Sequence, residues 1–185
     1  MVENLGDIPI PDFSGVEDDP RTEWVDGWYE GNILDKREFT DSTGSDRVFE
    51  STDIPSRGGD SRNINLQVTL KRKSDGRTMN NKASVNYRPD DLTQETIAAV
   101  MADTERVKAG EKRVAFRQFM VLNRLSKLQK IAGIRQFQRN GNGGLDLTPL
   151  HGKLAYFRIG PDDQEGRTQY KKIIEFQAAQ PKKVL

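Results

Sequence analysis

Alternation of apolar and polar residues is clearest in the middle of the chain. In RNINLQVTLKRK (62–73), every second residue from Ile64 to Leu70 is apolar, and the residues between them are polar. This period of two is typical of a strand that buries one face. The sequence SDGR (74–77) carries a turn signal, and TMNNKASVNY (78–87) follows it as a second extended segment. We therefore predict a β-hairpin here.

Extended segments also precede and follow this hairpin. They are rich in aromatic and β-branched residues, and turn-forming sequences such as TDSTGSD (40–46) and PSRGGDS (55–61) bound them. The second segment can pair with the first across the turn between them. The predicted strands outside the hairpin are 27–39, 47–54, 151–160 and 169–177.

The hydrophobic period changes after the hairpin to that of a helix. Residues 90–110 begin with acids and end at Gly110, as helices commonly do. Residues 114–139 predict a second helix, with Gly133 as a candidate site for a kink, and the glycine-rich NGNGGL (140–145) ends it. The apolar stripe expected on this second helix consists of Val114, Val121, Leu125, Leu128 and Ala132.

The order of these elements is three or four strands, a helical region and two further strands. We therefore predict a mainly β, α+β fold. An OB-like five-stranded antiparallel barrel with a helical insertion between its third and fourth strands has this order, although other small antiparallel barrels and α+β sheets accommodate it too. The expected organisation is an acidic, flexible arm (1–23), an OB-like domain (24–178) with its insertion at 90–140, and a short basic tail (179–185).

Charge is distributed unevenly along a chain that is close to neutral overall. The sequence has 29 Lys and Arg against 28 Asp and Glu, yet residues 1–30 contain nine acids and one base, Arg21. The remaining residues therefore carry nine more bases than acids. Two interpretations of the acidic arm stay open. It is either a solvated leader or a segment that competes with an anionic ligand for the basic surface of the domain.

Residues 112–145 contain eight Lys and Arg and no acid. Soluble helices usually mix both signs, so cations without local partners indicate attraction to a polyanion. A solvated cationic face is the alternative interpretation. On a helical projection, the cations that cluster about a quarter turn from the apolar stripe are Arg113, Arg117, Arg124, Lys127, Lys130 and Arg135.

Aromatic and basic residues are also interleaved on the predicted strands. This combination suits single-stranded nucleic acid, because an aromatic ring stacks on a base and a cation pairs with a phosphate. The alternative is that the strand aromatics, which include Tyr29, Tyr156 and Phe157, are core residues. The candidate nucleic-acid-binding residues are Trp28, Lys36, Arg37, Phe39, Arg62, Lys71, Arg72, Lys73, Arg77, Tyr87, Arg88, Arg117, Arg124, Lys127, Lys130, Tyr170, Lys171 and Lys172.

Composition narrows the chemistry that the chain can perform. The absence of cysteine excludes disulfides, thiolate catalysis and cysteine zinc sites. A single histidine, His151, makes a histidine-based metal site or a catalytic triad hard to build. We expect no cofactor, no metal and no enzymatic activity, with a carboxylate-dependent nuclease as the remaining enzymatic alternative. No apolar run is long enough to cross a membrane and no signal peptide is evident, so the expected location is the cytoplasm.

Short motifs along the domain carry a family resemblance. GWYEGNILD (27–35) opens the first strand with aromatic residues, and LHGKLAYFRIG (150–160) with YKKIIEF (170–176) forms the last two strands. LQKIAG (128–133) ends a helix in small residues. Together these motifs, spread over 27–177, resemble a family of small bacteriophage proteins encoded among replication and recombination genes. The resemblance implies an OB-like fold and binding of single-stranded DNA.

We therefore predict a phage protein that binds single-stranded DNA without strong sequence preference during DNA replication or recombination, in the cytoplasm of a bacterial host. Its expected partners are single-stranded DNA and phage or host replication and recombination proteins, and a homo-oligomer is compatible with the sequence. The chain ends in QPKKVL, where many single-strand-binding proteins have an acidic tail that recruits partners, and this puts such recruitment in doubt. The alternative function is an accessory protein whose basic helical face docks on a host or virion protein, for instance to counter a defence system.

Overall fold

The structure is a computed structural model that describes residues 24–162 and 171–185. The predicted arm (1–23), Tyr170 and most of the predicted loop 161–168 lie outside the described residues. Within them the chain forms eight strands and two α-helices. In chain order these are β1 Gly27–Leu34, β2 Lys36–Thr40, β3 Asp46–Glu50, β4 Thr52–Pro55, β5 Arg62–Lys71, β6 Thr78–Tyr87, α1 Gln94–Lys108, α2 Phe116–Ala132, β7 Leu154–Pro161 and β8 Lys171–Gln177.

An antiparallel sheet of six strands holds most of the core. Its strands follow the order β4-β5-β1-β7-β8, and β6 also pairs with β5. The ten-residue β5 therefore has three neighbours: β6 along its whole length, β4 at one end and β1 at the other. The predicted hairpin of β5 and β6 and the predicted α+β class are confirmed.

The predicted first strand, 27–39, is divided in the structure. β1 stays in the main sheet, whereas β2 pairs with β3 as a separate two-stranded hairpin. Ser51 holds the point of separation, because its backbone N–H donates to the Asp35 carbonyl (2.7 Å) and its hydroxyl donates to the Leu34 carbonyl (2.6 Å). The same hydroxyl accepts a hydrogen bond from the Gln67 N–H (2.9 Å). The predicted second strand is divided at this serine as well, into β3 and β4.

Both helices are shorter than predicted. α1 begins at Gln94, where the Thr93 hydroxyl caps it, and a short 3-10 turn takes up the preceding residues. α2 ends at Ala132 rather than at residue 139. Gly133 causes this ending, because it adopts a left-handed backbone conformation (φ 72°) that terminates a helix.

One face of α2 packs on the sheet. α2 lies against β6 and β8. The residues of its predicted apolar stripe that are buried are Val121, Leu125, Leu128 and Ala132. Val114 is the exception and its prediction was wrong, since it precedes the helix and is 75% exposed. The strands complete the core through inward-facing residues such as Tyr29, Ile64 and Phe157, each of which contributes about 1.5–3 kcal/mol by burial.

Candidate nucleic-acid interface

The β2–β3 hairpin exposes two phenylalanines. Almost all of its strand residues are exposed. In its register Arg37 lies opposite Phe49, and Phe39 lies opposite Arg47. Because opposed residues and every second residue along a strand share one face, these four side chains form a single surface, which we call the hairpin face. Phe39 is 36% exposed and Phe49 is 44% exposed.

The two phenyl rings of the hairpin face are stacked. Their centroids are 5.1 Å apart, and their planes are inclined by 22°. The guanidinium carbon of Arg37 lies 5.2 Å from each centroid, and Arg37 Nε is buried with no hydrogen-bond partner among the described residues. This arrangement offers a π-face to a base and a cation to a phosphate.

The turn of the hairpin fixes Arg47 on this face. The Asp41 carboxylate accepts hydrogen bonds from the Thr43 N–H (2.9 Å), the Ser45 N–H (3.1 Å) and Arg47 Nε (2.8 Å). Hydrogen bonds from the Thr43 hydroxyl and from Arg47 hold the pKa of Asp41 well below its usual range. Arg47 is therefore partly neutralised. Arg37 forms no ion pair with a described residue.

The outer side of β5 and β6 forms a second surface, and none of the side chains that these two strands contribute to it is a carboxylate. Its ten side chains, which we call the polar strand face, are Asn63, Asn65, Gln67, Thr69, Lys71, Thr78, Asn80, Lys82, Ser84 and Asn86. The hydrogen-bonded pairs across the two strands are Thr69–Asn80 (2.7 Å), Asn65–Ser84 (3.0 Å) and Asn63–Asn86 (2.8 Å). Each amide keeps further donors and acceptors that can serve a polar ligand.

The hairpin and the polar strand face meet at Gln67. This residue belongs to the outer side of β5, yet it is only 5% exposed. The base of the hairpin covers it, because the Ser51 hydroxyl bonds the Gln67 N–H and β3 lies against β5. Lys82 lies opposite Gln67 on β6 and is exposed. The two surfaces are therefore continuous.

A cavity of about 250 Å³ borders the polar strand face at Lys71. Glu30, Lys73 and Tyr156 contribute to its wall, and Glu30 lies opposite Lys71 in the pairing of β1 with β5. Trp28 of the neighbouring β1 is half-buried. The ammonium groups of Lys71, Lys73 and Lys82 form no ion pair with a described residue. Lys82 is thus available to an external anion, whereas Lys71 and Lys73 share their surroundings with the Glu30 carboxylate.

Other predicted strand cations are paired locally. Arg72 and Arg77 both contact Asp75 at the tip of the β5–β6 hairpin. The hydrogen bond from Arg72 lowers the pKa of Asp75 to about 2. On the side of the β2–β3 hairpin opposite the hairpin face, Lys36 pairs with Glu38 at 2.7 Å. Arg72, Arg77 and Lys36 each have a carboxylate partner, so less of their positive charge is available to a nucleic acid than the sequence predicted.

Two candidate residues, Tyr87 and Arg62, are buried, and their prediction as nucleic-acid contacts was wrong. The Tyr87 hydroxyl donates to Asp53 (2.6 Å), and burial followed by this bond raises the pKa of Tyr87. Arg62 Nε donates to the same carboxylate (2.9 Å), as does the Leu145 N–H (2.6 Å). The network joins β4, β5 and β6 to the loop before β7. Arg62 is separated by an even number of positions from the inward-facing Ile64 to Leu70 of β5, and Tyr87 likewise from the inward-facing Met79 to Val85 of β6. This alternation in the sequence indicated that both side chains point into the core.

The cations of the α2 region also have partners. The ion pairs are Arg113–Asp103 (3.3 Å), Arg117–Asp91 (2.8 Å) and Lys127–Glu175 (3.0 Å). Arg124 donates to the Ile174 carbonyl (3.4 Å). The interpretation of this region as a set of unpaired cations was therefore wrong for Arg113, Arg117 and Lys127, because acids from outside residues 112–145 pair with them. Lys130 is exposed and forms no ion pair with a described residue.

The remaining candidates lie near the ends of strands. Arg88 is exposed just after β6. Lys171 pairs with Asp26 at 2.6 Å, and Lys172 lies 4.0 Å from Asp162. Tyr170 lies outside the described residues.

Sequence reasoning missed several residues of these two surfaces. They are Arg47, Phe49, Lys82 and the amide and hydroxyl residues of the polar strand face. The sequence signal for Phe49 is the pairing of RVFE with KREF across the turn, since the register of that pairing sets which side chains share a face.

The described residues show no feature of a metal or membrane site. No group of three or more His, Asp or Glu among them could hold a metal ion. None of the described helices is long and apolar enough to cross a membrane. Comparison with known proteins gives no significant match, whether to a family model, a curated protein or a solved structure.

Proposed function

We propose that this protein binds single-stranded DNA, without strong sequence preference, through the hairpin face and the polar strand face. The observation that carries the proposal is the stacked, exposed pair of Phe39 and Phe49 with Arg37 beside it. Stacking of a base on an aromatic side chain contributes roughly 1–3 kcal/mol and tolerates any base. Lys71 and Lys82 lie on the adjoining surface, where a bound strand would bring its phosphates.

A closed barrel is part of this proposal. The strands β6-β5-β1-β7-β8 follow one another in the sheet, and β8 approaches β6, where Asn81 Nδ2 donates to the Lys171 carbonyl (3.1 Å). If these two edges close, the result is an OB-like barrel with both helices between its third and fourth strands. In OB folds the face of the second and third strands and the loop between the first and second strands bind oligonucleotides. Here those positions are the polar strand face and the β2–β3 hairpin.

The biological setting rests on the family resemblance. The motifs that resemble those of small phage proteins support a role in phage DNA replication or recombination in the bacterial cytoplasm. The alternative of docking on a host or virion protein through the basic helical face has less support, because Arg117 and Lys127 are held in ion pairs.

The test replaces the aromatic pair and measures binding to an oligo(dT) of roughly thirty nucleotides, long enough for more than one site. Phe39→Ala with Phe49→Ala should lower the affinity about tenfold or more, because two stacking contacts are lost. Val48→Ala is the matched control, since Val48 is exposed on the opposite side of the same hairpin.

Fluorescence anisotropy of labelled oligo(dT) and of the matching duplex gives both affinities. The wild-type protein should prefer the single strand. Equal affinity for the duplex, or undiminished binding by the double variant, would contradict the proposal.

A further inference from the structure

A groove runs between α1 and α2. Its larger part is a cavity of about 600 Å³, to which Val100, Leu122 and Leu125 contribute apolar surface. A second cavity of about 320 Å³ shares Val100, Met101 and Leu122 with the first and extends the groove. Met101 is 66% exposed. An open apolar groove with a polar rim is typical of a site that takes an apolar segment.

The larger cavity is lined by cations but by no carboxylate. Arg135 and Arg139 stand in its wall, and the other polar lining residues are glutamines and a serine. Arg135 forms no ion pair with a described residue. Among the described residues, the Arg139 guanidinium donates only to the Gly143 carbonyl (2.8 Å). The second cavity has one carboxylate in its lining, Glu105. The end of the groove at Arg135 and Arg139 therefore fits an apolar segment that carries acids.

The chain itself contains such a segment. Residues 7–13, with the sequence DIPIPDF, combine three large apolar side chains, Ile8, Ile10 and Phe13, with two carboxylates. The two prolines restrict the backbone to extended conformations, and this restriction lowers the entropy lost on binding. Fully extended, seven residues span up to about 23–25 Å. The helical stretch from Gln94 to Glu105 beside the groove is about 17 Å long.

The length of the intervening chain limits how far residues 7–13 can reach from Trp24. The ten residues 14–23 span up to about 33–36 Å when extended. A domain of this size has a radius of gyration of about 16 Å. A sphere with this radius of gyration is about 40 Å across. An extended linker therefore brings residues 7–13 to the half of the surface nearest Trp24, and the proposal requires the groove to lie on that half.

We propose that residues 7–13 bind in the groove between α1 and α2 of the same chain, with their apolar side chains on Val100, Met101 and Leu122 and their carboxylates toward Arg135 and Arg139. This binding would cover the exposed apolar surface of the groove. It would also hold Asp7 and Asp12 at the helices, away from the sheet. It does not rest on nucleic-acid binding, and its test contains no DNA.

The exposed thioether of Met101 reports on occupancy of the groove. Hydrogen peroxide converts accessible methionine to the sulfoxide, and mass spectrometry of peptides gives the rate at each methionine. The full chain is compared with the variant Ile8→Ser, Ile10→Ser, Phe13→Ser, whose substitutions lie outside the described residues. Met120 serves as an internal control, since it is 38% exposed and does not line the groove.

The triple variant should oxidise at Met101 at least about three times faster than the wild type, the ratio expected if the groove is occupied two-thirds of the time. Met120 should react equally in both proteins. Arg135→Glu should accelerate Met101 oxidation too, whereas Arg57→Glu, an equal charge change on an exposed loop, should not. Equal Met101 rates in wild type and triple variant would overturn the proposal. Protection that rises with protein concentration would also overturn it, because the occupant would then be a second copy.

Discussion

At the scale of single residues, Asp91 joins two elements through one buried carboxylate. It accepts two hydrogen bonds from the Arg117 guanidinium, at 2.8 and 2.9 Å, and one from the Arg88 N–H at 2.7 Å. These contacts connect the 3-10 turn after β6 to the first turn of α2. Burial opposes ionisation, but the bonds from Arg117 and the Arg88 backbone outweigh it and hold the pKa of Asp91 below its usual range.

The depressed pKa of Asp91 predicts a pH dependence of stability. An aspartate ionises with a pKa of about 3.9 in an unfolded chain. Because the folded-state pKa is lower, the stabilisation is complete above pH about 4–5 and is lost as pH falls through the folded-state pKa. Asp91→Asn should lower the free energy of unfolding by about 1.5–3 kcal/mol near pH 7, as expected for the loss of hydrogen bonds to a charged group. The decrease should be smaller at acid pH.

Urea unfolding between pH 7 and pH 3 measures this difference. Asp60→Asn is the control, since Asp60 is exposed in a loop and should give a small, constant difference. A cost of Asp91→Asn that grows as the pH falls would contradict the assignment.

At the scale of elements, one glycine decides where α2 ends. Gly133 has φ 72°, and a Cβ built on it would contact nothing within 4 Å. Gly133→Ala should therefore destabilise the protein by about 1 kcal/mol through backbone conformation alone. Gly141→Ala is a matched control, because Gly141 also lies in open space but does not have a positive φ. Thermal unfolding of the two variants compares them directly. Equal stability of both would show that the left-handed conformation at residue 133 does not terminate the helix.

Local sequence patterns predicted which strands and helices form better than they predicted the residues at which these begin and end. The alternation from Ile64 to Leu70 gave β5 and its inward face correctly, and the same parity applies to Arg62 and Tyr87. Arg62 and Tyr87 were nevertheless predicted to be exposed nucleic-acid contacts, because one is a cation and the other is aromatic. Their position in the alternation was given less weight. The division of the first strand had no local marker, since it depends on hydrogen bonds from Ser51 to segments 16 or 17 residues away.

The candidate site was predicted only in part for the same reason. Arg37, Phe39 and Lys71 were identified by residue type. Phe49 and Lys82 join them only through the pairing of two strands across a turn, and the register of such a pairing is set by the folded sheet.

At the scale of the whole molecule, long-range pairing redistributes the charge. The acid-free stretch 112–145 receives its counter-charges from Asp91, Asp103 and Glu175, which lie before and after it in the chain. Counting charges within a segment could not reveal these partners. The cations of the sheet, by contrast, include Lys71 and Lys82, which form no ion pair with a described residue, although Glu30 lies opposite Lys71 on β1.

This distribution predicts which lysines set the salt dependence of DNA binding. Each phosphate contact on a single strand contributes about −0.7 to the slope of log affinity against log salt concentration. Lys71→Glu with Lys82→Glu should remove two contacts and make the slope shallower by about 1.4. Lys112→Glu with Lys130→Glu is the matched control, since both residues are exposed, belong to the α2 region and change the net charge equally. Titrations of oligo(dT) at several salt concentrations measure both slopes. If the Lys112→Glu, Lys130→Glu variant makes the slope as shallow as the Lys71→Glu, Lys82→Glu variant does, the DNA-binding surface includes the helices and is not confined to the sheet.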